Sequence, residues 1–353
     1  MNAYLQALAP YWFPGFLAFA LTFALTAVAL RVFPKLGLMD KPQKYGIRRA
    51  PIPYSGGLIL FLVFLALAIY FLDINKHLLG VLIGGGMIVV ISFLDDRVGL
   101  NPFVRLGIQL LAALTVVLSG VGIAAVSNPL GGTISLDTWQ IPITFGETVY
   151  HFTVFADLLT ILWLVAMTNT MNWLDGIPGL TSGISTIGAG VMFLLAIRPN
   201  FHYIDQTEAA TLAVIVAASA FAFWWFDVHP PKILMGDTGS MFLGFMLAVL
   251  AIFSGGKIAT AFLMMGFPLL DFVWVIARRL WKGRSPFKGD LGHFHHRLLR
   301  VGFTERQSLA LIYGVCAAFG GAALFLGTEQ KLIAVGVMVI LMGLLGTFVI
   351  LRG

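Results

Sequence analysis

Long runs of apolar residues recur along this chain and limit what it can fold into. A helix needs about 20 predominantly apolar residues to cross a bilayer. Runs near that length occur eleven times, at about 14–33, 56–73, 78–94, 103–126, 154–173, 179–197, 208–227, 234–252, 258–277, 307–326 and 332–351. Only 11% of the 353 residues are charged, whereas a soluble domain is about one quarter charged. The sequence therefore predicts an all-α polytopic membrane protein with about eleven transmembrane helices, formed by residues 1–353 as a single domain.

The distribution of Lys and Arg between the runs predicts the orientation. If every run crosses the membrane, eighteen of the 22 basic residues lie on one side. Because basic residues accumulate on the cytoplasmic side, we expect the N-terminus outside and the C-terminus in the cytoplasm. Residues 34–55 then form a basic cytoplasmic loop, 127–153 an external loop, and 278–306 a cytoplasmic loop rich in His and Arg. The basic loop could also serve only as an anchor to anionic lipids.

The predicted external loop carries a strand pattern. Polar and apolar residues alternate over 133–136, 140–144 and 149–153, which is typical of half-exposed strands. We therefore expect a small external β-hairpin near 130–153, with a structural role.

Two adjacent carboxylates, Asp95 and Asp96, end an uncharged run that begins at Leu78. Like charges at the boundary between lipid and water repel each other and are costly to desolvate. Such a pair invites a cation, a phosphate-bound metal or a proton. Arg105 follows within the first turns of the next run.

Amides and further carboxylates mark two other run ends. Asn169, Asn172 and Asp175 are three residues apart, so a helix would place them on one face, and Gly-Ile-Pro-Gly follows them at 176–179. Asparagine can also join helices within a membrane, which is the alternative role for Asn169. Asp237 lies in Gly-Asp-Thr-Gly-Ser at the start of the eighth run, where it could be a ligand or merely a helix cap.

The loop between the ninth and tenth runs concentrates the candidate cationic ligands His293, His295, His296 and Arg297. Three histidines suggest a zinc site, but no cysteine or second cluster completes one. A cationic clamp for phosphate is better supported, because Arg forks onto phosphate oxygens and His can donate to them. Asp271, within the ninth run, is either a functional residue inside the membrane or the partner of an arginine on a neighbouring helix.

On the predicted topology all these motifs share the cytoplasmic face. Mg²⁺ prefers oxygen ligands and usually binds through one or two carboxylates plus substrate phosphates, so the motifs predict phosphoryl transfer with charge neutralised by metal and arginine. The sequence has no Gly-x-x-x-x-Gly-Lys loop for a nucleoside triphosphate. The alternatives are an ion-coupled transporter, for which acidic groups near the midplane and an inverted repeat would be expected, and a membrane scaffold, which would leave the Asn and Asp motifs unexplained.

Taken in order, the motifs resemble those of the polyprenyl-phosphate N-acetylhexosamine-1-phosphate transferases over essentially the whole chain. They are Pro51-x-Pro53-x-x-Gly56-Gly57, Asp95-Asp96 with Arg105 downstream, Asn169-x-x-Asn172-x-x-Asp175-Gly176, Gly236-Asp237-x-Gly239-Ser240 and His293-x-His295-His296-Arg297. The last motif resembles the N-acetylglucosamine-using branch rather than the muramyl-pentapeptide branch. Pro178 departs from the pattern, since relatives usually have Asp or Asn at this position, which is tied to the nucleotide base.

The resemblance implies that a polyprenyl phosphate such as undecaprenyl phosphate attacks the β-phosphorus of a UDP-N-acetylhexosamine, giving polyprenyl-pyrophosphoryl-sugar and UMP. It implies a Mg²⁺ cofactor, with Mn²⁺ as a substitute, and a multi-pass protein of the plasma membrane with a cytoplasmic site, no nucleic-acid partner and a homodimeric state. The residues implied are Asp95 and Asp96 as the catalytic pair, Asn172 and Asp237 as metal ligands, and Arg105, Asn169, Asp175, His293, His295, His296 and Arg297 as substrate contacts.

Overall fold

The computed structural model describes residues 2–45, 49–128, 132–145, 148–199, 201–202, 204–254, 258–283, 285 and 292–352. Its first seven helices are α1 (Asn2–Leu8), α2 (Trp12–Lys35), α3 (Gly57–Phe71), α4 (Lys76–Val98), α5 (Pro102–Leu118), α6 (Val154–Leu174) and α7 (Leu180–Ala196). The next seven are α8 (Thr207–Asp227), α9 (Gly236–Phe253), α10 (Ile258–Met264), α11 (Gly266–Trp281), α12 (Phe294–Arg300), α13 (Glu305–Ala323) and α14 (Thr328–Arg352). Short 3₁₀ turns occupy Ala9–Tyr11 and Pro42–Tyr45.

Side-chain caps start several of these helices where the apolar runs begin. Asn75 accepts the Leu78 N–H at the start of α4, and Asn101 accepts the Phe103 N–H at the start of α5. Thr304 and Gln307 form a capping box at the start of α13. These side chains bond backbone N–H groups that have no partner within the helix, so the helix starts are fixed locally.

Six helical segments of the described residues are long and apolar enough to cross a membrane, or seven if α10 and α11 form one bent span. Three shorter apolar helices, α3, α5 and α7, accompany them. The chain is thus a largely helical, polytopic membrane protein. Each of the eleven predicted runs contains a helix, but the number of spans and their orientation stay predictions.

The ninth predicted run differs from the single helix expected over 258–277. The structure divides it into α10 and α11, whose axes differ by 80°. Pro268 has no N–H to donate to the Met264 carbonyl, so a continuous helix would lose a hydrogen bond here. Gly266 at the break lies so close to Met338 of α14 that a Cβ would overlap it. The bend therefore follows from proline chemistry and close packing.

Strands occur in the segment for which a hairpin was expected, as two antiparallel pairs. Strand β1 (Ala125–Ser127) pairs with β2 (Thr133–Ser135), and β3 (Gln140–Phe145) pairs with β4 (Thr148–Thr153). Residues 129–131 and 146–147, between the paired strands, lie outside the described residues. The placement of these strands outside the membrane stays a prediction.

Helix α9 forms the centre of the bundle. In its most apolar stretch 89% of the residues are buried, against 11% in α14. A Cβ on Gly57 of α3 would overlap the Gly239 backbone, and one on Gly244 would lie 2.7 Å from the Met167 carbonyl of α6. These glycines let α3 and α6 approach α9 backbone to backbone, which surrounds the polar start of α9 with other helices.

Candidate active site

The two adjacent carboxylates at the end of α4 have different partners. Asp95 accepts the Leu100 N–H at 2.6 Å with Oδ1 and contacts the Arg105 guanidinium with Oδ2. Gly99, with φ of 71°, ends α4 just before these two partners. Asp95 therefore forms an ion pair with the start of the following helix.

Asp96 instead caps α9 from outside that helix. Its carboxylate accepts the backbone N–H groups of Asp237 and Thr238 at 3.0 and 3.2 Å and the Thr238 hydroxyl at 2.6 Å. The hydroxyls of Tyr54 and Ser55 donate to it at 3.1 and 3.4 Å. A carboxylate offers about four lone-pair positions, so these five donors occupy its accepting capacity. Asp96 thus joins three sequence motifs; its predicted catalytic role stays a prediction.

The loop before α3 completes this junction. The Gly56 N–H donates to the Leu234 carbonyl, and the Leu234 N–H donates to the Pro53 carbonyl, both at 3.0 Å. Burial raises the pKa of Tyr54, and the nearby carboxylates, with Asp96 contributing most, raise it further. The phenol therefore keeps its proton and remains a donor to Asp96.

Arg105 and Asp237 form the more open part of this group. The Arg105 guanidinium, which contacts Asp95, also lies 3.2 Å from Asp237 Oδ2. The side chain of Asp237 is 30% exposed, compared with 8% for Asp95. We call Asp95, Asp96, Arg105 and Asp237 the acidic cluster. Asp237 is thus more accessible than Asp95.

The two asparagines of α6 differ in their surroundings. Asn169 Nδ2 donates to Gln109 Oε1 at 2.7 Å and to the Val165 carbonyl at 2.8 Å. Asn172 Nδ2 donates to Ser240 Oγ, in the first turn of α9, at 3.1 Å. Asn169 therefore makes the helix-joining contact that was its alternative role, whereas Asn172 lies beside the acidic cluster.

The residues expected to bind Mg²⁺ fit that ion chemically. Asp237 supplies a partly exposed carboxylate, and Asn172, whose Nδ2 is bonded to Ser240, offers its amide oxygen. Both are the hard oxygen ligands that Mg²⁺ prefers. No group of three or more His, Cys, Asp or Glu side chains that could hold a metal occurs among the described residues. A cation held here would complete its coordination with phosphate oxygens and water.

Asp175 and the turn after it form a second polar layer. Burial, and then the charge of Asp227, raises the pKa of Asp175. Asp227, at the end of α8, accepts the Gly179 N–H at 3.1 Å and the Ser182 hydroxyl at 2.7 Å. The Tyr313 hydroxyl donates to the Gly179 carbonyl. The 176–179 turn is thus held from two sides.

The histidine segment, which we define as His293–Arg297, packs against this turn. A Cβ on Gly176 would overlap the ring of His295 and lie 3.0 Å from His296 Nε2. Burial lowers the pKa of His295 well below that of an ordinary histidine, and the neighbouring His296 and His293 lower it further. Both ring nitrogens of His295 are buried without a hydrogen-bond partner in the described part of the chain. Arg297 Nε donates to the Gly292 carbonyl at 3.0 Å.

Asp271 does not pair with an arginine of a neighbouring helix, and its alternative functional role stays a prediction. Its Oδ2 lies 2.9 Å from His293 Nδ1, and its Oδ1 accepts the Phe294 N–H at 2.9 Å. The expected arginine partner is replaced by a histidine that follows 22 residues later in the chain. Asp271 thus belongs to the histidine segment's surroundings.

The predicted site residues therefore lie in one connected region around the end of α6 and the start of α9. Asn172 contacts α9, the Trp173 ring meets the His293 ring at 5.8 Å, and Gly176 abuts His295. Asp175 lies close enough to Asp96 and Asp237 for their charges to act on it.

Several residues of this region were not predicted from sequence to belong to the site. They are Tyr54, Gln109, Asp227 and Tyr313. A signal existed for Gln109, which is one helical turn after Arg105 in an otherwise apolar helix, because polar side chains within membrane helices usually face the interior of the bundle. Asp227, the last residue of α8, carried a similar signal.

The sequence matches the family model of glycosyl transferase family 4 over residues 78–255, a range that holds the acidic cluster and the α6 motif. The chain belongs to this family. A probable undecaprenyl-phosphate N-acetylglucosaminyl 1-phosphate transferase of Bacillus subtilis is 30% identical over 312 residues, covering 86% of this chain and 81% of the relative. A decaprenyl-phosphate N-acetylglucosaminephosphotransferase of Mycobacterium tuberculosis is 31% identical over 343 residues, covering 88% and 81%.

A further relative, an undecaprenyl-phosphate alpha-N-acetylglucosaminyl 1-phosphate transferase of Yersinia pestis, is 30% identical over 305 residues, covering 83% of this chain and 78% of the relative. These relatives confirm the resemblance drawn from the five motifs. The histidine segment lies beyond the 78–255 match, so its assignment depends on the motif and on its contacts with α6.

Proposed function

We propose that this glycosyl transferase family 4 protein transfers N-acetylglucosamine 1-phosphate from UDP-N-acetylglucosamine to a polyprenyl phosphate, giving polyprenyl-pyrophosphoryl-N-acetylglucosamine and UMP. The observation that carries the proposal is the convergence of the acidic cluster, Asn172 and the histidine segment at the end of α6. The names of the relatives support the same lipid acceptor and the same transferred group. An ion-coupled transporter is not favoured, because the polar motifs meet in one region.

The reaction forms one phosphorus–oxygen bond and breaks another. A phosphate oxygen of the lipid attacks the β-phosphorus of the nucleotide sugar, and the bond from that phosphorus to the bridging oxygen breaks. UMP leaves with the bridging oxygen and its electron pair. We assign removal of the acceptor's proton to the Asp95–Asp96 pair, and the five donors on Asp96 favour Asp95 as the base.

Negative charge at the diphosphate is the main electrostatic problem, because two anionic substrates must approach each other. Asp237 and Asn172 would hold Mg²⁺, with Mn²⁺ as a substitute, and the ion would supply positive charge at the phosphate oxygens. Arg105, next to Asp237, adds a fixed cation. The histidine segment binds the diphosphate and sugar of the donor, with Arg297 as its permanent cation, and Asp175 and Asn169 line the region toward the nucleotide.

An apolar cavity beside the histidine segment supports a position for the lipid chain. It has a volume of about 340 Å³ and lies between α11 and α14, with Leu270, Phe294 and Met342 among its walls. Asp271 and Arg297 also border it. We propose that the first isoprene units occupy this cavity, so that the lipid phosphate reaches the site while the chain stays among apolar side chains.

The predicted topology fits this chemistry and belongs to the proposal. Eleven spans with a cytoplasmic C-terminus would put the loops 34–55 and 278–306, and hence the site, on the side where nucleotide sugars are available. A plasma-membrane location, one transferase domain over 1–353 and a homodimer complete the proposal.

The test is UMP release by the purified protein with Mg²⁺, UDP-N-acetylglucosamine and undecaprenyl phosphate. We expect UMP only when lipid, nucleotide sugar and divalent cation are all present, and none after chelation with EDTA. Release with a different UDP-sugar only would keep the chemistry and change the donor. Absence of UMP with every nucleotide sugar would contradict the proposed function, provided that a cooperative thermal unfolding transition shows the protein to be folded.

A further inference from the structure

Asp271 is a buried carboxylate that holds two parts of the histidine segment at once. It lies in the second turn of α11, just after the bend, and is only 5% exposed. One oxygen accepts the N–H of Phe294, the first residue of α12, and the other lies 2.9 Å from His293 Nδ1. His293 provides no side-chain cap for α12, so Asp271 supplies that cap from a different helix.

The ring of His293 is fixed from three directions. Asp271 holds Nδ1, the Trp173 ring packs edge-on at 5.8 Å, and the His295 ring stacks at 5.7 Å with an interplanar angle of 12°. Because an ionised carboxylate can only accept, Nδ1 must carry a hydrogen in this contact. Nε2 has no hydrogen-bond partner among the residues that the structure describes, so it is the atom of the ring left for a ligand.

We propose that Asp271 is a positioning residue for the donor substrate: it fixes the start of α12 and the Nδ1–H of His293, so that Nε2 of His293 meets the donor's diphosphate. This inference rests on the proposed function for the identity of the donor. When the ring carries hydrogens on both nitrogens, it donates from Nδ1 to Asp271 and from Nε2 to a phosphate oxygen in a charge-assisted hydrogen bond.

A double-mutant cycle separates this role from simple support of the fold. Asp271→Asn keeps an oxygen that can cap α12 but removes the charge beside His293, and His293→Gln removes the ring. We expect Asp271→Asn to lower kcat/KM for UDP-N-acetylglucosamine about tenfold, the scale of one charge-assisted hydrogen bond. In the His293→Gln background the same change should lower it by less than about twofold, because the residue through which Asp271 acts is absent. An equal fall in both backgrounds, or no fall in the parent enzyme, would overturn the proposal.

Asp157→Asn is the matched control. Asp157 is 7% exposed and accepts the Thr153 N–H at 2.7 Å near the start of α6, so it too is a buried capping carboxylate. We expect its loss to leave kcat/KM for the donor unchanged in both backgrounds. If Asp271→Asn does not fold, Asp271→Glu replaces it in the cycle: its longer stem moves the carboxylate away from the position that holds both His293 Nδ1 and the Phe294 N–H, so kcat/KM should fall in the parent and by less than about twofold in the His293→Gln background.

A measurement that does not depend on turnover covers the case in which the protein uses another substrate. Imidazole ¹⁵N spectra of histidine-labelled protein, with the His293 signals assigned by their loss in His293→Gln, report which ring nitrogen carries the hydrogen. We expect Nδ1–H in the parent and a changed Nδ1 signal in Asp271→Asn. A His293 ring protonated on Nε2 alone in the parent would sink the positioning role even if UMP is formed. An Nδ1–H ring with no UMP would leave the contact intact and sink the proposed function.

Discussion

The acidic cluster and the histidine segment meet the end of α6 through different residues, Asn172 and Trp173, and they differ in how far their buried polar atoms are hydrogen-bonded. In the acidic cluster, Asp96 accepts five hydrogen bonds from the protein. In the histidine segment, His295 is 1% exposed and both its ring nitrogens lack a partner in the described part of the structure. The carboxylate of Asp96 is therefore fully hydrogen-bonded within the described residues, whereas the ring nitrogens of His295 are not.

This difference indicates how the two regions contribute to function. Buried polar groups are nearly always hydrogen-bonded, and one that is not requires an explanation. Asp96 is explained by the fold, since it joins the Tyr54 loop to the start of α9. His295 has no such explanation in the described residues: Gly176 lets the 176–179 turn pack directly against its ring, and both ring nitrogens stay without a partner. Changes in the acidic cluster that spare ligand contacts should therefore affect stability, and changes at His295 should leave stability nearly intact.

The largest expected effect is that of Asp237→Ala, the exception within the acidic cluster. Asp237 bonds Asp96 through its backbone N–H, which alanine keeps. Its carboxylate is 30% exposed and lies 3.2 Å from Arg105. We expect UMP release to fall by about 10³-fold, comparable to the loss of one well-placed electrostatic contact in a transition state, with thermal unfolding little changed. Asp73→Ala, at an exposed carboxylate between α3 and α4, should keep the parent rate. Activity of Asp237→Ala within tenfold of the parent would refute a direct role for this carboxylate.

Sequence reasoning reached the helical membrane fold, because apolar run length is a local property, and it expected the motifs on one face from the alternation of the predicted spans. It could not separate Asp95 from Asp96, since the separation depends on where α5 and α9 lie. The same limit applies to Asp271, whose partner is His293 rather than an arginine. The bend between α10 and α11 had a visible cause in Pro268, but hydropathy alone joined the two helices into one run.

A smaller effect, on stability, should follow from Thr238→Val, which tests the hydrogen bonds of Asp96 in the acidic cluster. The Thr238 hydroxyl donates to Asp96 at 2.6 Å and is fully buried. Valine keeps the shape of the side chain but removes the donor, so we expect the free energy of unfolding in mixed micelles to fall by about 1.5 kcal/mol, as for a hydrogen bond to a charged group.

The control for this change is Thr186→Val, whose hydroxyl, within the described part of the chain, bonds only the Ser182 carbonyl of its own helix at 2.9 Å. Removing that bond should change the free energy of unfolding by no more than about 0.5 kcal/mol. Equal losses in the two variants would mean that the Asp96 junction adds nothing beyond an ordinary helical hydroxyl.

The smallest effect on stability is expected for His295→Leu, which tests the histidine segment. Leucine has a similar volume and no polar atoms, and its shorter reach suits the close contact with Gly176, so removing two buried unpaired nitrogens should change the free energy of unfolding by less than about 1 kcal/mol at pH 7.5.

The lowered pKa of His295 means that, as pH falls below about 6.5, the unfolded chain binds a proton that the folded protein does not. Stability should therefore decline with falling pH in the parent, and less steeply in His295→Leu. Unfolding titrations at pH 7.5 and 5.5 measure both slopes, and identical slopes would show that His295 is not held neutral by burial.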